Sequence, residues 1–295
     1  MNILTGCSGW SYSDWVGPFY PKELSNRHAE WLRYYSRYFS TTEINSTFYS
    51  VPAPATVSSW IEKTADLKHF EFSVKLPKRI SHDLLPSGEI DQAVEERGQF
   101  TEICITPLRR AGRLGAVLLQ LPPEFAYSVE NLSHLVELLE GIRRDGNDIA
   151  VEFRDRSWLT AEAERLGAEA EEALISLNCS SVFVDSPAFP AVRSMTADHA
   201  YIRFHGRNRD IWYGGAGEED ARINRYDYLY SRGQLETWVP TVRLLSEHAR
   251  ISRIYFNNHG RAKAAKNAME LMDMMGIEHD RKDIHVTDQS KLGSF

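Results

Sequence analysis

Ile149-Ala150-Val151-Glu152-Phe153-Arg154 is a short apolar run that finishes on charged residues. Seven further segments share that form: Ile3 to Cys7, Thr42 to Ser46, Phe70 to Lys75, Ala116 to Leu121, Val182 to Asp185, Tyr201 to His205 and Ile254 to Asn258. Each is followed by a stretch with helical patterning. Strands of a parallel barrel pack against helices outside and against one another within, and their C-terminal ends carry the active site in nearly every enzyme of this shape. The pattern therefore predicts an α/β fold, a TIM-like (β/α)8 barrel of parallel strands with its chemistry at one mouth.

Apolar spacing predicts helices over Asn26 to Tyr38, Pro54 to Ala65, Val129 to Arg144, Thr160 to Leu177, Tyr228 to Ala249 and Arg261 to Met275. Pro54 suits a first helical turn and Gly276 the end of the last helix. Residues 79–114 exceed an ordinary connection and read as a helical and loop insertion after the third strand, over one side of the mouth.

The chain has 295 residues, 42% hydrophobic and 25% charged. That suffices for one barrel of about 250 residues plus insertions, so 1–295 reads as a single barrel domain. With 34 basic and 41 acidic residues the net charge is −7, and no like-charge tail stands out. General attraction to nucleic acid or an anionic membrane is not supported, although a local basic pocket is compatible with this balance. Cys7, Cys104 and Cys179 are far apart in sequence and form no CxxC pair, which argues against a disulfide framework or structural zinc. Leu4-Thr5-Gly6-Cys7 superficially matches a lipoprotein cleavage site but lacks the preceding basic and apolar regions. No apolar run approaches the ~20 residues of a membrane span. The expectation is a soluble cytoplasmic protein with no membrane partner.

Side chains alternate along a strand, so parity assigns each residue to the barrel interior or to the helix-facing layer. In Phe70-Glu71-Phe72-Ser73-Val74-Lys75 the large apolar residues share one parity, leaving Glu71, Ser73 and Lys75 inside. The same rule turns Glu152, Arg154, Arg203 and His205 inward, together with Glu43, Asn45, Gln120, Asp185, Tyr255 and Asn257. Charged residues are almost never buried unpaired, and the acids and bases of this interior nearly balance. Such crowding fits tuned catalytic groups, and it equally fits a salt-bridge network tying the strands together.

Gly6-Cys7-Ser8-Gly9-Trp10-Ser11-Tyr12, Glu43-Ile44-Asn45-Ser46-Thr47-Phe48-Tyr49 and Phe72-Ser73-Val74-Lys75-Leu76-Pro77 resemble the opening half of the domain-of-unknown-function-72 (YecE-like) family. Leu119-Gln120-Leu121-Pro122-Pro123, Val151-Glu152-Phe153-Arg154, Arg203-Phe204-His205-Gly206-Arg207 and Tyr255-Phe256-Asn257-Asn258 continue the resemblance in order over nearly the whole chain. It implies a TIM-like barrel and no particular reaction, since fold is a poor guide to chemistry.

The loops after the last two runs, His205-Gly206-Arg207 and Asn257-Asn258-His259-Gly260, each set a flexible glycine beside polar donors. Barrels commonly bind phosphate there, through backbone N–H groups and a helix N-terminus. A small anionic ligand is therefore expected at Gly206, Arg207, Asn258 and Gly260, with Lys75, Arg154 and Arg203 adding charge around the rim. Asn45, Gln120 and Asn257 complete the polar binding set. Glu43, Glu152, Asp185 and His205 are the candidate catalytic acids and bases. A divalent metal on those four is the less favoured use, because the arginines compete for the same carboxylates; no cofactor is read from the sequence. Trp10, Tyr12, Trp15, Phe48, Tyr49, Trp158, Trp212 and Tyr213 gather at the same strand ends, where rings either stack on a ligand or anchor loops, and Trp10, Tyr12 and Tyr49 join the binding set.

The leading expectation is an enzyme of hydrolase or lyase type acting on a phosphorylated or other anionic organic substrate. The alternatives are a metal-dependent nuclease or a non-catalytic nucleic-acid or ligand-binding module. A carbohydrate hydrolase is disfavoured, because the fourth and seventh runs end in Gln120 and His205 where the barrel glycosidases it would resemble carry two glutamates.

Overall fold

The computed structural model describes residues 2–192, 194–208 and 226–286. Within them, parallel strands β1 (Ile3–Ser8), β2 (Thr41–Ile44), β3 (Glu71–Lys75), β4 (Leu114–Gln120), β5 (Asp148–Glu152), β6 (Cys179–Ser181), β7 (Phe183–Asp185), β8 (His199–Phe204) and β9 (Ile251–Phe256) form one sheet. Its order is β6-β5-β4-β3-β2-β1-β9-β8-β7, so the first strand pairs with the last, Ile3 opposite Ser252. The sheet's two ends are neighbours in sequence. β6 pairs with β5, Val151 opposite Ser181, and β7 pairs with β8, Phe183 opposite Ile202. Between them Val182 still donates its N–H to the Val151 carbonyl at 3.0 Å. The sixth apolar run, together with Cys179–Ser181 before it, is thus one interrupted strand whose halves serve different neighbours, which makes nine segments of the expected eight and leaves the barrel nearly closed.

Helices cover the outside. Pro54–Thr64, Val129–Arg143 and Lys263–Met275 follow the apolar spacing, and Gly276 ends the last of them at φ 68° as anticipated. Three expected helices are shorter. Trp31–Tyr35 replaces most of Asn26 to Tyr38, and Arg232–Glu236 and Val239–His248 divide Tyr228 to Ala249 at Trp238. Over Thr160 to Leu177 only Ala168–Ser176 is α-helical. The preceding residues instead form a tight turn, with Ala163 at φ 55° and Thr160 N–H on the Arg165 carbonyl. The segment after β3 is helical, carrying Arg79–Leu84, Ile90–Phe100, Thr101–Ile105 and Thr106–Arg110. Among the described residues no helix is long and apolar enough to cross a membrane.

Polar and apolar layers alternate inside the barrel. At the N-terminal end Arg253 bridges Glu71 (2.5 Å) and Asp148 (2.8 Å). Above it the Tyr255 hydroxyl meets Thr41 and Ser73, beside an apolar patch of Ala116, Leu118, Ala150, Val182 and Val184. The C-terminal layer carries the candidate site.

Candidate functional site

Arg203, near the end of β8, lies at the centre of that layer and is 1% exposed. It donates to Glu43 on β2 at 2.7 Å and to Glu152 on β5 at 2.5 Å, and Tyr201 donates its hydroxyl to the same Glu43 at 2.7 Å. Both glutamates are fully buried. Arg154 forms a second ion pair with Glu152. Gln120 on β4 links the layer to β3, donating to Glu152 at 2.6 Å and accepting from Lys75 at 2.5 Å. His205 Nε2 faces Glu152 at 3.2 Å and Arg154 at 3.1 Å, while Asn257 donates to its Nδ1 at 3.1 Å and itself accepts from Asn45 at 3.3 Å. Inward parity thus joins Glu43, Asn45, Lys75, Gln120, Glu152, Arg154, Arg203, His205 and Asn257 in one hydrogen-bonded network.

The network fixes the charges of its members. Burial alone would raise the Glu152 carboxyl, but Arg154, Arg203 and His205 outweigh it and hold the pKa well below the usual value. Burial opposes the charge on Arg203, yet Glu152 and Glu43 keep its pKa above the ordinary one. Burial brings His205 down to about 4, against the pull of Glu152, so the ring is neutral at neutral pH. Lys75 differs from the rest. Burial first, and then the charge of Arg203, lowers its ammonium to about 7 despite the attraction of Glu152 and Glu43. Its ammonium therefore exchanges a proton near neutral pH.

A cavity of about 650 Å³ opens over the layer. Lys75, Arg203, Gln120, Asn45 and Asn257 form its polar floor, and Trp10, Tyr12, Phe48, Tyr49 and Trp60 its walls. None of its described lining residues is a carboxylate; Glu43 and Glu152 lie beneath, covered. Two polar atoms of the lining residues lack a partner: the Arg203 Nε–H donor and the Asn45 Oδ1 acceptor. Trp60 from the helix after β2, His28 and His259 were not singled out by the strand-end reading. Trp60 is recognisable only as an apolar position of its helix, and nothing in its spacing separates it from an ordinary core residue. Trp15 and Trp158 are buried and anchor loops, donating to the carbonyls of His259 and Phe125 at 2.7 Å each. Trp212 and Tyr213 lie outside the described residues.

Asp185 corrects the parity reading. Val182 and Val184 face the interior, so Asp185 turns outward into the helix layer. There it accepts from Arg207 (2.8 Å to Nε), Tyr230 (2.8 Å) and Trp238 (2.7 Å). A short strand with valines at the alternate positions takes its direction from them, and the carboxylate is satisfied outside. Asp185→Asn should therefore lower stability by about 1–3 kcal/mol, since the amide places N–H groups against the buried donors that the carboxylate accepts from. Urea unfolding measures this, and an unchanged midpoint would contradict the assignment.

The expected anion slot is occupied by the chain itself. Arg207 is taken by Asp185, Gly206 N–H by the Tyr230 hydroxyl at 2.8 Å, and Asn258 Nδ2 by the Tyr228 carbonyl and Asn267. Gly260 N–H lies 3.4 Å from the Tyr226 carbonyl, and a Cβ on Gly260 would meet the Asp227 side chain at 2.8 Å. Asp227 pairs with Arg261 at 2.6 Å and Lys263 at 2.8 Å, and so puts a carboxylate where the ligand's charge was expected. The four-residue metal set is not assembled either, because Asp185 points away and Glu43 and Glu152 are held by arginines. Among the described residues the only grouping with metal-ligand spacing is Asp148, Asp198 and His199. It lies at the other end of the barrel, where Asp148 pairs with Arg250 and Arg253.

With the geometry in place, comparison with known proteins becomes informative. The family model described as "Protein of unknown function DUF72" matches residues 4–291. The chain belongs to the DUF72 family. Among its relatives, the UPF0759 protein YunF of Bacillus subtilis is 28% identical over 283 residues, which cover 94% of this DUF72 chain and 96% of YunF. The UPF0759 protein YecE of Escherichia coli is 31% identical over 140 residues, covering 47% of this chain and 45% of YecE. A crystal structure of a DUF72 family protein from Thermotoga maritima is 32% identical, with TM-score 0.76 over 94% of this chain and all of that one. A DUF72 structure from Enterococcus faecalis, 23% identical with TM-score 0.75, shares the fold over 97% of this chain and 99% of its own. The resemblance of the strand-end segments and the barrel expectation are thereby established for the DUF72 chain, and no activity comes with them.

Proposed function

We propose that the barrel is an enzyme acting on a phosphorylated or other anionic organic molecule, bound in the cavity over β3, β4 and β8. The observation that carries this reading is a cavity lined by the cations Lys63, Lys75 and Arg203, with no carboxylate among its described lining residues. Below it two glutamates are matched by two arginines, so Lys75 leaves the site with surplus positive charge whenever it is protonated. Asn45, Gln120 and Asn257 supply amide groups at the floor for a ligand's polar atoms. Aromatic walls suit the organic part. Lys75 exchanges a proton at neutral pH, as acid-base chemistry requires, whereas Glu152 and His205 keep Arg203 and Asn257 in position.

The test is calorimetric titration at pH 6, where Lys75 is protonated, with phosphorylated sugars, nucleotides and single-stranded oligonucleotides in buffer free of phosphate and sulfate. Lys75→Gln should weaken binding of an anion roughly 10- to 100-fold, the equivalent of the about 1.5–3 kcal/mol of a charged hydrogen bond. Absence of binding by every anion, or equal affinity in the variant, would sink the reading. Tyr49, 79% exposed at the rim, favours a second reading in which its ring stacks on a base, as in single-strand binders. Oligonucleotide binding without turnover, lost in Tyr49→Ala, would move the assignment there.

A further inference from the structure

We infer that Lys75 is a nucleophile that condenses with the carbonyl group of an anionic aldehyde or ketone. The inference rests on the proposed anion-binding cavity and names the substrate class and the bond formed. Its basis is the way the amine is held. Lys75 stands at the C-terminal end of β3, 7% exposed and lining the cavity. Its hydrogen-bond acceptor is a neutral amide, Gln120 Oε1 at 2.5 Å, and not a carboxylate. The Phe48 ring lies 3.7 Å from Nζ and limits the directions in which the amine can turn. A buried lysine paired to a carboxylate is held as an ammonium; one tethered to an amide beside an arginine is free to become the amine.

The charged groups around it act in opposite directions. Arg203 on β8 and Arg154 after β5 oppose protonation, while Glu152 on β5 and Glu43 on β2 favour it. His82, its ring 4.9 Å from that of Phe48, is pushed down to about 4 by its own burial and then by the charge of Lys75. The outcome, a pKa of about 7, leaves about half the amine unprotonated at pH 7. An ordinary lysine is free base there to only about one part in 10³ to 10⁴.

The step balances as follows. The Nζ lone pair adds to the carbonyl carbon, the C=O π pair moves to oxygen, and one N–H proton passes to that oxygen, giving a carbinolamine. Uptake of one proton from solvent and loss of water leave a protonated C=N bond between Lys75 and the substrate. Nothing is oxidised or reduced. Arg203 at the floor of the cavity adds positive charge that attracts the substrate's anionic group.

The experiment uses the unaltered protein with glyoxylate as the anionic aldehyde, acetaldehyde as the neutral one, and cyanoborohydride to fix any C=N bond formed. Peptide mass mapping at pH 7 then gives the modification rate at Lys75 relative to the exposed Lys22, Lys68 and Lys78. Modification of Lys75 at least about tenfold faster than these, with a larger ratio for glyoxylate than for acetaldehyde, is the expected result. A Lys75 rate no higher than theirs overturns the nucleophile, and the calorimetric titration then decides the anion cavity separately. A high ratio identical for both aldehydes overturns the anionic substrate class, and the calorimetric titration again decides the cavity reading separately. Lys75→Arg keeps a cation and should lose the adduct at this position.

Discussion

Replacing Arg203 with Leu is expected to cost about 3–5 kcal/mol of folding stability, the largest loss of any single substitution in the barrel interior. The variant leaves Glu43 and Glu152, both fully buried, without their common partner. A buried ion deprived of its counter-charge costs that much because neither water nor another cation is at hand for both acids. Arg154 still pairs with Glu152, but Glu43 keeps only the Tyr201 hydroxyl. Urea unfolding at pH 7 gives the loss. A variant as stable as the parent at pH 7 would mean that the central ion pairs do not hold the mouth together.

The second large effect is a pH dependence carried by Lys75. Its ammonium titrates at about 7 in the folded chain against 10.5 for an ordinary lysine. Below pH 10.5 the unfolded chain holds a proton that the folded chain takes up only near pH 7. Stability contributed by this group is therefore complete above pH 10.5 and falls as pH drops to 7, below which the penalty is constant. At about 1.36 kcal/mol per unit the full amplitude is on the order of 4–5 kcal/mol. Lys75→Met removes it. The stability difference between parent and Lys75→Met should therefore move in the parent's favour from pH 7 to pH 10, by several kcal/mol. Subtracting the two curves cancels the tyrosines and other groups that titrate in the same range. A difference independent of pH would show that Lys75 stays charged in the fold.

Both predictions start from residues that parity had already turned inward, and their side of the site was legible because each strand carries large apolar residues at alternate positions. Phe70, Phe72 and Val74 leave no doubt about Lys75, nor Val151 and Phe153 about Glu152. The polarity of Asp185 points inward by pattern alone, but its neighbours Val182 and Val184 set the strand's direction and turn it outward. Arg253 shares the parity of Tyr255 and Asn257, yet it lies one residue before the apolar run Ile254 to Asn258, so the run does not reveal the partner of Glu71 and Asp148. The anion slot failed for another reason. Glycine-rich loops after the last strands are the right chemistry for phosphate, but the carboxylate of Asp227 arrives from a distant loop, and no local pattern announces it. The lowered pKa of Lys75 is likewise a property of assembly, since it needs Phe48, Gln120 and Arg203 in place around one amine.

The pairing of β1 with β9 sets the order in which this molecule can mature. Ile3 waits for Ser252, and joining ends so far apart in the chain carries a loop-closure cost that local helices do not meet. As synthesis proceeds from the N-terminus, β1 to β5 can assemble into an open sheet, but the layer around Arg203 lacks its central cation until β8 is in place. Trp10 and Tyr12, which follow β1, become a cavity wall only once that strand is clamped between two neighbours. Ligand binding is thus a late-acquired property of the nascent chain. Until then the half-built interior carries Glu43 without Arg203, its ion-pair partner.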